Sequence, residues 1–158
     1  MLTNRWFLLG VIFAIRMTVG FQFQSVASVS SPLMDDLDIG HGEVGTLIGL
    51  FMLPGVVIAL PAGMLLQRFD DKLFLGFGVL LLATGGVVLA LADGFPLAVA
   101  GRVVSGVGAV TTIVTITKVV TDQFAGKEIR TALAIMATSW PLGIAAGLVS
   151  QESIAGAT

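Results

Sequence analysis

Cysteine is absent from the chain, which excludes disulfides, thiolate chemistry and cysteine-ligated metals. Charge is scarce: 11% of the residues are Asp, Glu, Lys or Arg, against about 25% in soluble domains. A soluble domain of 158 residues would wrap one core in a charged shell, and this chain lacks the charge for it. No basic run is present, so the electrostatic footprint of a nucleic-acid partner is missing. The sequence also shows no Ser/His/Asp set, metal cluster or phosphate loop. Neither catalysis nor a cofactor or metal is expected. The acidic stretch Asp35-Asp36-Leu37-Asp38-Ile39-Gly40-His41-Gly42-Glu43 lacks the ligand order of a calcium loop and reads as a solvated connection.

What the chain has is apolar length. Hydrophobic residues make up 56% of it, and the mean hydropathy is +1.00. Apolar stretches run over 6–27, 44–66, 73–92, 95–120 and 131–149, each about 19–26 residues against the ~20 that cross a bilayer. The expectation is an all-α integral membrane protein with five transmembrane helices in the lipid bilayer. Under strict alternation Arg5, Arg68, Lys72, Lys118, Lys127 and Arg130 all fall on one side, and the opposite connections contain no Lys or Arg. Basic residues are enriched on the cytoplasmic side. The N-terminus is therefore expected inside, Thr158 outside, in the plasma (inner) membrane. Arg5, the apolar run 6–15 and Ser25-Val26-Ala27 mimic a secretory signal, but Arg16 and the apolar stretch 17–23 argue against one.

Glycine is abundant at 20 residues, and most of it lies inside the apolar stretches. Small residues let membrane helices approach closely, and Gly45/Gly49, Ala59/Gly63, Gly101/Ser105 and Gly143/Gly147 have the four-residue spacing of packing faces. Pro54 and Pro141 lie within spans and predict kinks.

Two arginines stand inside the apolar stretches. An embedded cation is costly and usually faces a bundle interior or a watery path. Arg16 is ten residues past Trp6, hence ~15 Å deep and near the midplane. Ile12, Gly20, Phe23 and Ala27 share its helix face, with Gln24 close by. Arg16, Gly20, Phe23 and Gln24 are therefore candidate solute-binding residues. Arg102 is seven residues past Phe95, ~10 Å in from the outer side, with Gly106 and Ala109 on its face. It is a further candidate, and cross-bundle bonding is the alternative role open to it. No Asp or Glu lies deep inside any stretch, so no buried carboxylate relay is visible.

The connection Gly63-Met64-Leu65-Leu66-Gln67-Arg68-Phe69-Asp70-Asp71-Lys72 resembles the loop signature G-x-L-x-D-R-x-G-R-R of the major facilitator superfamily. Gly63, Leu65, Arg68 and the basic Lys72 match, while Gln67, Asp70 and Asp71 replace Asp, Gly and Arg. Arg102-Val103-Val104-Ser105-Gly106-Val107-Gly108-Ala109 is similar to the family's fourth-span pattern R-x-x-x-G-x-G-A. Trp140-Pro141-Leu142-Gly143 stands where many members carry Gly-Pro, and Arg16 followed by Ser31-Pro32-Leu33 is similar to the cyanate- and nitrate-type branch.

The resemblance implies an N-terminal fragment of a twelve-span carrier, holding five helices of a six-helix half. Its C-terminal half would be the partner. Spans one and four, with Arg16 and Arg102, would line the central cavity. Gly63, Arg68, Asp71 and Lys72 would belong to a loop that latches the cytoplasmic gate. The expected function is secondary transport of a small solute by alternating access, the solute being anionic because the embedded charges are cationic. The alternative is a membrane scaffold or accessory fragment that moves nothing.

Overall fold

The computed structural model describes residues 5–155. Among the described residues the chain is all-helical: α1 (Arg5–Ser28), α2 (Ser30–Leu37), α3 (His41–Leu66), α4 (Asp71–Ala90), α5 (Phe95–Gln123) and α6 (Lys127–Ala155). All but α2 are long and apolar enough to cross a membrane. A helix of 24 residues such as α1 is ~36 Å long, sufficient for a hydrocarbon layer of ~30 Å. Thr158 lies outside the described residues.

Three layers of buried side chains record that the long helices alternate in direction. Leu9, Ile12, Ile116, Val120 and Met136 pack together near one end. Val19, Phe51, Leu82 and Ala109 form the middle layer. Val26, Val44, Leu47 and Ala98 pack near the other end. Arg5, Arg68, Lys72, Lys118, Lys127 and Arg130 thus share one end, the basic end, and Asp35, Asp36, Asp38, Glu43 and Asp93 share the opposite, acidic end.

The connections are fixed by local chemistry. Asp70 caps α4, its Oδ1 accepting from the N–H groups of Lys72 at 2.9 Å and Leu73 at 3.4 Å. Gly126, at φ +61°, supplies the left-handed residue between α5 and α6. Glu43 accepts from the Gly40 N–H at 2.7 Å at the start of α3.

One expectation needs correction here. The first connection is not all solvated loop, because α2 occupies its first part. Leu33, Met34 and Leu37 turn onto the layer of Val26 and Val44, while Asp35 and Asp36 stay exposed. Eight residues are too short a window for that amphipathic period to register in sequence.

Helix pairing follows the small residues. The main contacts are α4 on α5, α6 on α1 and α3 on α5. A β-carbon on Gly101 would lie 2.8 Å from the Leu89 nitrogen and 2.9 Å from the Gly85 oxygen, so α4 and α5 touch backbone to backbone. One on Gly20 would lie 2.7 Å from the Trp140 oxygen, and one on Gly143 would run into the Met17 carbonyl. Pro54 is buried against Gly106, whereas Pro61 and Pro141 are exposed. Gly45, Gly49 and Gly63 of α3 meet nothing within 4 Å of the same position.

Candidate functional site

The two embedded arginines lie on opposite sides of the middle layer and differ in how they are used. Arg102 is fully buried, with a relative exposure of 0%. Its Nε donates to the Leu47 carbonyl at 3.0 Å, Nη1 to that of Gln22 at 3.1 Å and Nη2 to that of Phe23 at 3.2 Å. Its guanidinium carbon also stands 4.8 Å from the centroid of the Phe51 ring. Of the two roles the sequence left open, cross-bundle bonding is the one this geometry displays. One side chain ties α5 to α1 and α3 at the acidic side of the middle.

Arg16 is half-buried and its guanidinium makes no hydrogen bond or ion pair among the described residues. The Nε is buried without a partner, while the side chain as a whole keeps exposed surface. A desolvated donor on a cation in a medium without water is expensive unless something accepts from it.

Its neighbours along α1 are placed by the α1–α6 contact. Gly20, one turn on, is buried against the Trp140 backbone, so the gap it leaves is filled by α6. Phe23 is half-buried and joins an aromatic group, its ring centroid 5.8 Å from that of Phe51 and 5.5 Å from that of Trp140. Gln24 is half-buried on the α6 side, its β-carbon 3.3 Å from the test position on Gly147.

The amide that reaches the interior is Gln22, which sequence reasoning passed over for Gln24. Its Nε2 donates to the Leu82 carbonyl at 2.9 Å and to the Ser105 hydroxyl at 3.2 Å, filling the space left by Gly86. The signal was available in the adjacent glycines Gly85-Gly86, which leave room for a neighbour's side chain.

Two cavities border these groups. One, of about 270 Å³, lies between α3, α5 and α6 and is walled by Phe51, Ala109, Ile113 and Trp140. The other, of about 370 Å³, lies between α1, α2 and α4 toward the acidic end and includes Gln22, Ser25 and Asp36. The larger one suits an anion poorly, because Asp36 contributes a carboxylate and the Gln22 amide nitrogen is already engaged.

The sequence model of the Major Facilitator Superfamily matches residues 11–157. The chain belongs to this superfamily. It is a multi-pass integral membrane protein of a transporter family. No curated protein gives a significant match to it.

In this superfamily member the α3–α4 connection is tied to the end of α5. Lys118 donates to both Asp71 oxygens, at 2.9 and 3.0 Å, and pairs with Asp122 at 3.0 Å. Asp71, which departs from the family's basic residue, thus forms an ion pair across two helices. Gln67, Arg68 and Lys72 are exposed, and the Arg68 guanidinium makes no bond among the described residues. Gly63 is half-buried with open space at its α-carbon. At the same end Arg5 pairs with Glu128 at 2.9 Å, joining the starts of α1 and α6.

Proposed function

We propose that this chain is the N-terminal part of a secondary transporter that carries a small anion, or a solute bearing a carboxylate, across the plasma membrane by alternating access. Arg16 is the main solute-binding cation. The observation that carries the proposal is the contrast between the arginines: each Arg102 nitrogen donates to a carbonyl, and Arg16 has no hydrogen-bond or ion-pair partner among the described residues. A planar fork with lost hydration binds an anion by charge and by paired hydrogen bonds at once. Phe23 and Gln24 extend the wall on the same helix, Gly20 lets α6 bring Trp140 close, and Arg102 supports the wall by holding Phe51 and Phe23 in place.

Alternating access rocks two bodies around a midplane site. We assign the exposed apolar side of α3, with Met52, Leu53, Val56 and Leu60, to contact with a second helical half. The open Gly45 and Gly49 on α3 would let another helix approach. The basic end faces the cytoplasm in this reading, with Arg68 at the inward gate. The likeness to the cyanate- and nitrate-type branch, carried by Arg16 and Ser31-Pro32-Leu33, belongs to the same proposal. Uptake of labelled anions into proteoliposomes holding the full-length protein tests it. Arg16→Lys should reduce uptake partially and Arg16→Gln severely. Uptake restricted to cations or neutral solutes, or full anion uptake by Arg16→Gln, would contradict it.

A further inference from the structure

We infer that the cleft between the joined ends of α3 and α4, at the basic end, binds an anionic phospholipid of the adjoining leaflet, with its phosphate on Arg68 and an acyl chain along α4. Neither the solute nor Arg16 enters into this. α3 ends at Leu66 and α4 begins at Asp71. Two hollows meet at the connection between them. One, of about 520 Å³, is lined by Met64, Leu65, Gln67, Arg68 and Phe69. The other, of about 400 Å³, is lined by Leu65, Phe69, Leu73, Phe74 and Phe77. Leu65 and Phe69 belong to both, so the two form one continuous cleft. The first compartment holds a guanidinium and an amide, and the second is walled by apolar side chains alone. An amphiphile is divided in the same way.

The charges decide the head group. Arg68 is exposed, and its side chain has no hydrogen bond or ion pair among the described residues. No carboxylate lines either hollow. Asp71 is paired with Lys118, and the Asp70 Oδ1 caps α4 through the N–H groups of Lys72 and Leu73. Asp70 keeps its charge beside the cleft, and the exposed Lys72 offsets it without lining the cleft. A head-group ammonium would find no carboxylate in the cleft walls. A phosphodiester finds a planar fork that donates to two of its oxygens side by side. The Gln67 amide adds a further donor in the same compartment.

The tail is placed by α4. Phe69 stacks on Phe74, with ring centroids 6.4 Å apart and the planes 14° from parallel, which gives the cleft a flat apolar floor. Leu73, Phe77 and Leu80 continue from it as an exposed apolar stripe at helical spacing, ~10 Å along the axis. The charged connection stands at the membrane edge, because the apolar span starts with α4. A phosphate on Arg68 therefore lays its chain on Phe69 and down this stripe into the bilayer.

The test is photolabelling of the full-length protein in phosphatidylcholine vesicles that hold a trace of phosphatidylglycerol with a diazirine on its acyl chain. Labelled peptides are mapped by mass spectrometry, and phosphatidylcholine bearing the same chain is the control. Phosphatidylglycerol should label the 65–80 segment about fivefold or more above the control. Arg68→Gln should remove that preference, and Arg68→Lys should keep part of it. Phe69→Ser should lower the labelling of this segment by both lipids. Melting curves establish that each variant is folded. Equal labelling by the two lipids overturns the inference, and so does a preference that survives Arg68→Gln. A segment that neither lipid labels overturns it too, because another part of the carrier then covers the cleft. Loss of the label to inorganic phosphate, with ionic strength held by chloride, would make this a site for free phosphate and overturn the lipid assignment.

Discussion

The guanidinium of Arg102 on α5 lies over the ring of Phe51 on α3, 4.8 Å from its centroid, while its nitrogens hold carbonyls of Leu47, Gln22 and Phe23. This arginine fixes the crossing of three helices, and through Phe51 it also fixes one wall of the cavity. Each of its three nitrogens thus has an acceptor within the bundle.

Arg102→Leu should therefore act on stability before affinity. The carbonyls keep their own helix partners, so the loss is that of the charged hydrogen bonds and the ring contact, about 2–4 kcal/mol in total. Thermal unfolding in detergent measures it. An unchanged midpoint with a lost solute affinity would place Arg102 in the solute site instead.

Glycines at helix contacts and glycines on open faces should respond to alanine with opposite sign. Gly143→Ala forces a methyl into the Met17 backbone and should cost about 1–3 kcal/mol. Gly76→Ala on α4 meets open space and should be neutral or stabilising by up to about 1 kcal/mol. Melting curves of the two variants, measured in parallel, decide the matter.

The basic end predicts a gating phenotype. Arg68→Ala should lower the transport rate by about 3- to 10-fold with little change in solute affinity, because the residue is exposed at the loop and distant from Arg16. Asp71→Asn should also alter the rate, since it leaves Lys118 with Asp122 alone. Initial-rate and binding measurements on the same preparations separate rate from affinity. A large affinity loss at an unchanged rate would contradict the gating role.

Topology can be checked cleanly because the chain has no native cysteine. Asp38→Cys and Asp71→Cys each place a single thiol at opposite ends of the bundle. In intact cells an impermeant maleimide should label the first and spare the second. The reverse pattern would invert the orientation.

The long helices were legible because a bilayer demands uninterrupted apolar length, and short polar connections mark where it stops. The packing of Gly101/Ser105 and Gly143/Gly147 was legible for a related reason, since four-residue spacing of small residues gives a smooth face. At Gly45, Gly49 and Gly63, which show the same signal, nothing among the described residues lies within 4 Å of where a β-carbon would stand. Spacing states that a face is smooth and does not state what lies against it. The partners of Arg102 were not legible, because Gln22 and Leu47 come near it through tertiary packing across 80 and 55 positions of sequence. Gln22 was passed over because helical wheels rank residues by the face of Arg16, whereas its amide points into the gap beside Gly86 on another helix. Asp71 read as a mismatch to a pattern, and only the fold sets it against Lys118.

Solute affinity of Arg16→Gln, measured on the full-length protein with thermal unfolding in parallel, tests the central claim most directly. A guanidinium that is the main anion contact, and is partly desolvated, should take about 2–5 kcal/mol of binding with it when replaced by a neutral amide. The account predicts normal folding and an affinity reduced by at least tenfold, with Arg16→Lys in between. A folded Arg16→Gln protein that binds its anionic solute as tightly as the parent would contradict it.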